Sequence, residues 1–252
     1  MANIFNTIQL DINRTIAVLT LNRPRKLNTV TSEMEKELEE ALNLLKKEEN
    51  VRVVILTGRG QAFCAGQDVS IFGVDLTQAK KDLEKLKRPP LVFFEKPVIA
   101  AVNGVAAGAG ADFALMCDII VASDTARFSF PGARMGIACP YALIQLAEDV
   151  GRRKAKELLM TGDWISAGEA LQLRLVNSVV PADQIMDKAF EIALKITKSA
   201  PLSVKSVKES INSTISGFEH SYEVMADLIN TEDRIEGMGA FLEKRSPVFK
   251  GR

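Results

Sequence analysis

KPVIAAVNGVAAGAGADFALMCD, residues 96–118, decides how the rest of the chain is arranged. Pro97 to Val102 is a short, continuously apolar run, the pattern of a strand buried on both faces. Asn103-Gly104 is a turn dipeptide that ends it. Gly108, Ala109, Gly110 and Ala111 carry almost no side chain, and the apolar run Phe113 to Met116 continues as a helix. Small residues let a ligand approach the backbone, and the free N–H groups of a helix start favour negative charge. Asp112 falls one step inside that helix, where a carboxylate is electrostatically tolerated. The same Gly/Ala run also suits close helix–sheet packing, so alone it names no chemistry. A dinucleotide fingerprint is excluded, because Phe113 stands where the third glycine of GxGxxG belongs.

Working outward, strands alternate with helices up to about residue 180. Ile4 to Leu10 and Thr15 to Leu21 read as a hairpin around Asp11–Arg14. Arg23, Arg25 and Lys26 make a basic loop. Thr31 or Ser32 caps a helix with Glu33, Glu35 and Glu37 in its early turns and Lys46-Lys47 at its end, as the helix dipole prefers. Val51 to Thr57 is a second buried strand. Ala62 to Asp68 (AFCAGQD) is a small-residue turn, with Asp68 placed to cap a following helix and backbone N–H groups able to face a ligand. Residues 70–90 read as a helix and a mobile segment. Downstream, Ile119 to Ala122 and Ala126 to Phe130 are strands, and the loop Pro131 to Tyr141 follows. Ala142 to Val150 and Arg153 to Met160 are helical, a further helix starts at Trp164, and Leu175 to Val180 is a strand. Beyond it the chain reads as helices only: Asp183 to Lys198, 202–216, 218–231 and Arg234 to Lys244.

The composition sets bounds on function. The 252 residues are 47% hydrophobic and 25% charged, ordinary for a globular enzyme. Lys+Arg and Asp+Glu number 32 each, so no global field draws nucleic acid or an anionic membrane. With no long apolar run and no signal-like N-terminus, a cytoplasmic location is expected. Cys64, Cys117 and Cys139 include no CxxC, which argues for reduced core thiols and against a zinc site. His220 is the only histidine, in a polar helical context, which argues against a Ser-His-Asp or Cys-His triad and against a metal centre.

The chain resembles the crotonase superfamily, the enoyl-CoA hydratase/isomerase family, over nearly its whole length. The resemblance rests on NRPRKLN at 22–28, AFCAGQD at 62–68, the stretch 96–123, the P-x-x-x-x-G loop at 131–136, LLMTGDWISAGEA at 158–170, LVNSVVP at 175–181 and EGMGAFLEKRSPVF at 236–249. It implies an α/β fold: a crotonase-like ββα spiral core over 1–197, with two nearly perpendicular sheets. A C-terminal helical oligomerisation region over 198–252 would build a homo-trimer or homo-hexamer. It implies a coenzyme A thioester as substrate, with no other cofactor, whose carbonyl oxygen enters an oxyanion hole made by the backbone N–H groups of Ala65 and Ala109. Two aimed donors favour the enolate over the neutral thioester, the differential binding that catalysis needs.

The resemblance also assigns a substrate-binding set. Arg23, Arg25, Lys26 and Leu27 lie where the family contacts coenzyme A, and Phe241 and Lys244 where it often meets the coenzyme of a neighbouring subunit. Gln67, Asp68 and Gly108 flank the expected oxyanion hole. Hydratases of this family use two glutamates; the first position is Asp112 here, as in the related dienoyl-CoA isomerases. The second is Gly132, which has no ionisable group, and Cys139-Pro140-Tyr141-Ala142 replaces the usual Gly-Gly-Thr stretch. Arg134 is a candidate to pair with an acyl carboxylate, and Tyr141 a candidate proton donor. Three readings follow: an enolate-forming lyase or isomerase using Asp112, of which enoyl-CoA hydratase is the narrower form; a carboxyacyl-CoA decarboxylase or acyl-CoA hydrolase; and a weakly catalytic acyl-CoA-binding oligomer.

Overall fold

The computed structural model describes residues 5–68, 90–213, 228 and 231–250. The readings for 70–89, for His220 and for most of the 218–231 helix lie outside them.

At the centre are β3 (Val53–Gly58) and β5 (Val98–Val102), both buried along their whole length. They pair in parallel, Val54 opposite Val98 and Thr57 opposite Ala101. With β1 (Ile8–Asn13), β2 (Ile16–Leu21), β7 (Ile119–Ser123) and β10 (Ser178–Val180) they form a six-stranded sheet in the order β1-β2-β3-β5-β7-β10. Period-two alternation divides its core. Val53, Ile55, Ile99 and Ala101 face α6 (Ile185–Thr197), through Ile185, Ala189 and Ala193. Val54, Leu56, Val98 and Ala100 face the larger core, where α1 (Ser32–Lys47) contributes Met34, Leu38, Ala41, Leu42 and Leu45. Thr31 is the N-cap of α1, its side chain accepting from the Met34 N–H at 3.2 Å.

Several sequence expectations shift. Pairing of Asp11 with Val18 and of Asn13 with Ile16 shrinks the hairpin loop to Arg14-Thr15, with Arg14 left-handed at φ 55°. Val105–Ala107, expected to lead straight into a helix, form a strand, β6. It lies between β4 (Ala62–Cys64) and β8 (Arg127–Ser129) in a second sheet, closed by β9 (Ile165–Ser166). The helix expected from Trp164 therefore begins later, as α5 (Ala167–Gln172), because Ile165-Ser166 pair with β8 and Ser166 makes a capping box with Glu169.

The site is built from α2 (Ala109–Leu115), α3 (Ala142–Val150) and α4 (Arg152–Thr161). Two C-terminal helices follow, α7 (Pro201–Asn212) and α8 (Glu232–Glu243). α7 is tied to the core by polar groups: Lys208 Nζ donates to Asp118 at 2.8 Å and Asn212 Nδ2 to the Val92 carbonyl at 3.0 Å. Its Leu202, Val207 and Ile211 remain exposed.

Candidate active site

The site forms where β4 and β6 end side by side. Gly108 holds φ 50°, ψ −121°, a conformation only glycine tolerates, and this turns β6 into α2. A Cβ on Gly110 would collide with the Cys64 carbonyl, and one on Gly66 would stand 3.1 Å from the Ala107 oxygen. The small residues therefore let the Cys64–Gln67 turn and the start of α2 touch.

Which N–H groups face this junction is decided by pairing. The N–H of Ala65, expected as a free donor, instead donates to the Leu27 carbonyl at 3.0 Å. Further along, Val30 N–H donates to the Gly66 carbonyl and Asp68 N–H to the Val30 carbonyl, both at 2.8 Å. This parallel bridge uses both neighbours of Gln67 and leaves the Gln67 N–H directed away from Val30. The Ala109 N–H is the first of α2 and has no intrahelical partner. Neither N–H has an acceptor among the described residues.

Asp112, one turn into α2, is 5% exposed. Its Oδ1 accepts from the Ala142 N–H at 3.0 Å, and the Tyr141 N–H also helps to hold it at the start of α3. Burial pushes its carboxyl up to about 7, against these two hydrogen bonds, which favour the anion. No cation pairs with it among the described residues. Around it stand Cys139 and Tyr141, both buried and both pushed up chiefly by desolvation, Cys139 further by the nearby Asp112 charge and Tyr141 further by Asp149. Tyr141 Oη reaches Gln145 Oε1 at 3.5 Å. Gly132 is buried in the 3-10 turn Pro131–Met135, and a Cβ there would stand 3.0 Å from Ala138 Cα and from the Ile137 oxygen. The backbone has closed over the place where a second carboxylate would start.

The basic residues separate. Arg23 is tied to Asp68 at 2.9 Å and to the Thr29 carbonyl, so these two candidates answer each other and brace the loop. Asn28 completes the brace, donating to Ala62 and Arg59 carbonyls at 2.8 and 3.0 Å. Sequence reading passed over Asn28, although its fully buried amide does more to shape the loop than the arginines beside it. Arg25, Lys26 and Leu27 are exposed on the 3-10 turn Pro24–Lys26 and the residue after it. Arg134 does not enter the site. It bonds Asp163 at 2.5 Å and the Thr161 carbonyl, with 55% of its side chain exposed. Its partners, at the last residue of α4 and just beyond it, hold it there. Gln67 Nε2 makes a long contact with Glu35 at 3.5 Å. Phe241 and Lys244 are exposed at the end of α8. No group of three or more His, Cys, Asp or Glu among the described residues could hold a metal, and no described helix is long and apolar enough to cross a membrane.

Two sheets joined through side-chain-poor turns thus meet near a buried carboxyl that desolvation raises to about 7. Residues 11–252 match the family described as enoyl-CoA hydratase/isomerase, and the chain belongs to that family. It is 38% identical to the short-chain-enoyl-CoA hydratase of Clostridium acetobutylicum, covering 98% of this chain and 99% of that one. It is 35% identical to the 1,2-epoxyphenylacetyl-CoA isomerase of Escherichia coli, covering 96% and 97%. A solved structure of methylmalonyl-CoA decarboxylase in complex with 2-nitronate-propionyl-CoA superposes with TM-score 0.86 at 29% identity, over 99% of this chain and 100% of that one.

Proposed function

We propose that the protein moves a proton through a thioester enolate with Asp112 as its single acid/base, as an enoyl-CoA isomerase of this family. The observation that carries this reading is the Asp112 carboxyl: buried, without a cation among the described residues, and at about 7, while Gly132 supplies no second carboxylate. A carboxyl near neutrality both takes and returns a proton efficiently. The thioester oxygen sits between the N–H groups of Gln67 and Ala109, a pair that replaces the Ala65–Ala109 pair expected from sequence. Asp112 removes a proton from C2 of a 3-enoyl-CoA, and the electron pair delocalises onto the thioester oxygen. The same carboxyl then delivers the proton to C4, and the double bond moves to C2–C3. Hydration needs a water activated and a carbon protonated together, which two carboxylates do more readily than one.

A second reading, decarboxylation of a carboxyacyl-CoA, is favoured by Tyr141, buried beside Asp112, and by the likeness to methylmalonyl-CoA decarboxylase. It loses Arg134, which pairs with Asp163 instead. The exposed apolar residues of α7 support the 198–252 region as the surface of a trimer or hexamer, which light scattering tests. The decisive experiment incubates purified protein with a 3-enoyl-CoA in heavy water and reads products by mass spectrometry. The expected product is the 2-enoyl-CoA, with the proton taken from C2 returned largely as protium at C4. A 3-hydroxyacyl-CoA as the main product overturns the isomerase in favour of a hydratase, and carbon dioxide release from a 2-carboxyacyl-CoA alone moves the assignment to the decarboxylase.

A further inference from the structure

Behind the Pro131–Cys139 loop lies a cavity of about 440 Å³ between α3 and α4, within the size range of small-molecule sites. Phe130, Ile137, Leu143, Ala147 and Leu159 line it, and its only charged lining residues among the described ones are Arg152 and Lys156. Gly132 and Cys139 belong both to its wall and to the surroundings of Asp112, since the Cys139 thiol lies on the Gly132 backbone and feels the Asp112 charge. One wall of the cavity is thus shared with the surroundings of Asp112.

Arg152 and Lys156 stand one turn apart on the same face of α4. Both are exposed, and neither has a carboxylate within ion-pair distance among the described residues, whereas Lys154 between them pairs with Glu157 at 2.7 Å. They occupy the first turns of the helix, where the dipole disfavours cations, and no acidic residue in the first turn offsets them. Helix stability does not account for them.

We propose that this cavity takes the distal methylenes of the acyl chain and that Arg152 and Lys156 bind a carboxylate at its far end. The substrate class is then an ω-carboxyacyl-CoA, a dicarboxylic acid joined through one end to coenzyme A. The apolar side chains of the wall suit the chain, while the two cations among the lining residues match one terminal carboxylate. This inference rests on the acyl-CoA reading above.

The test uses saturated, unreactive ligands with the full-length protein: adipoyl-CoA and suberoyl-CoA against hexanoyl-CoA and octanoyl-CoA, by calorimetry at low and high salt. The carboxylate-ended ligand of one pair is expected to bind about tenfold more tightly, a preference that shrinks with salt. The double variant Arg152→Gln/Lys156→Gln is expected to lose that preference. Equal binding of both series, or a preference that survives the double variant, overturns the carboxylate assignment and leaves the acyl-CoA reading intact. Failure of every acyl-CoA to bind overturns both. An equal loss of free coenzyme A binding in the double variant places the two cations on the coenzyme's phosphates and also overturns the proposal.

Discussion

Asp112 and Asp118 lie six residues apart, within α2 and just beyond its end, and desolvation raises both carboxyls. They meet that cost differently. Asp118, with 22% of its side chain exposed, accepts from Lys208 Nζ at 2.8 Å and from the Val98 N–H at 2.7 Å. Lys208 is itself buried and also donates to the Leu91 and Lys96 carbonyls. Asp112 has only backbone N–H groups. An acid given a buried cation is a clamp, here between α7 and the start of β5. An acid left without one stays near neutrality and is free to exchange its proton.

The sharpest way to break this contrast is Asp112→Asn. It keeps the volume and the acceptor for Ala142, and turnover should fall by ~10²–10⁴ while the fold survives. Ala109→Pro comes next. Proline is well tolerated at the first position of a helix, so the change removes one donor, and kcat should fall by ~10²–10³ with little effect on acyl-CoA binding. Unchanged kcat in a folded variant would show that the Ala109 N–H does not meet the developing oxyanion.

Lys208→Met attacks the other acid. Stranding Asp118 should cost about 2–4 kcal/mol in urea unfolding, and adding Asp118→Asn should restore part of it. A cost near zero would mean that α7 does not depend on this pair.

The pH dependence separates the two acids again. Asp112 titrates near 7 when folded but near 3.8 when unfolded, so the unfolded chain loses its proton first as pH rises. Its contribution to stability is therefore full below about pH 4, declines through the interval, and reaches its least favourable value above 7. The loss is on the order of 4 kcal/mol. Asp112→Asn should flatten this part of the stability profile and raise Tm at pH 8, the opposite of its effect on turnover. In wild type, kcat/KM should show an acidic limb near 7, where the base form is lost. The smallest effect belongs to Arg134→Gln. Its exposed pair with Asp163 should be worth under about 1 kcal/mol, and turnover should stay within about twofold.

Much of this was legible in the residues. Uninterrupted apolar runs located β3 and β5, the acidic start and basic end of α1 located that helix, and the side-chain-poor turns located the junction of the two sheets, with Asp112 buried one turn beyond it. β6 escaped notice because three small residues between a turn and a helix start carry no strand signature until a second sheet pairs them. Lys208 escaped because a lysine on an amphipathic helix reads as surface until a distant aspartate is placed against it.

By itself, then, the order of residues determined the layered α/β class and the family, since both depend on local pattern and side-chain identity. Only the tertiary structure decided which backbone N–H groups stay free. That choice follows from pairing: Leu27 consumes the donor of Ala65, and Val30 takes up both neighbours of Gln67. It also decided that Arg134 pairs with Asp163 away from the site and that Arg152 and Lys156 join the lining of the cavity. A long cation's position is fixed by the partners that folding brings within reach, and those partners are far away in the chain or absent from it.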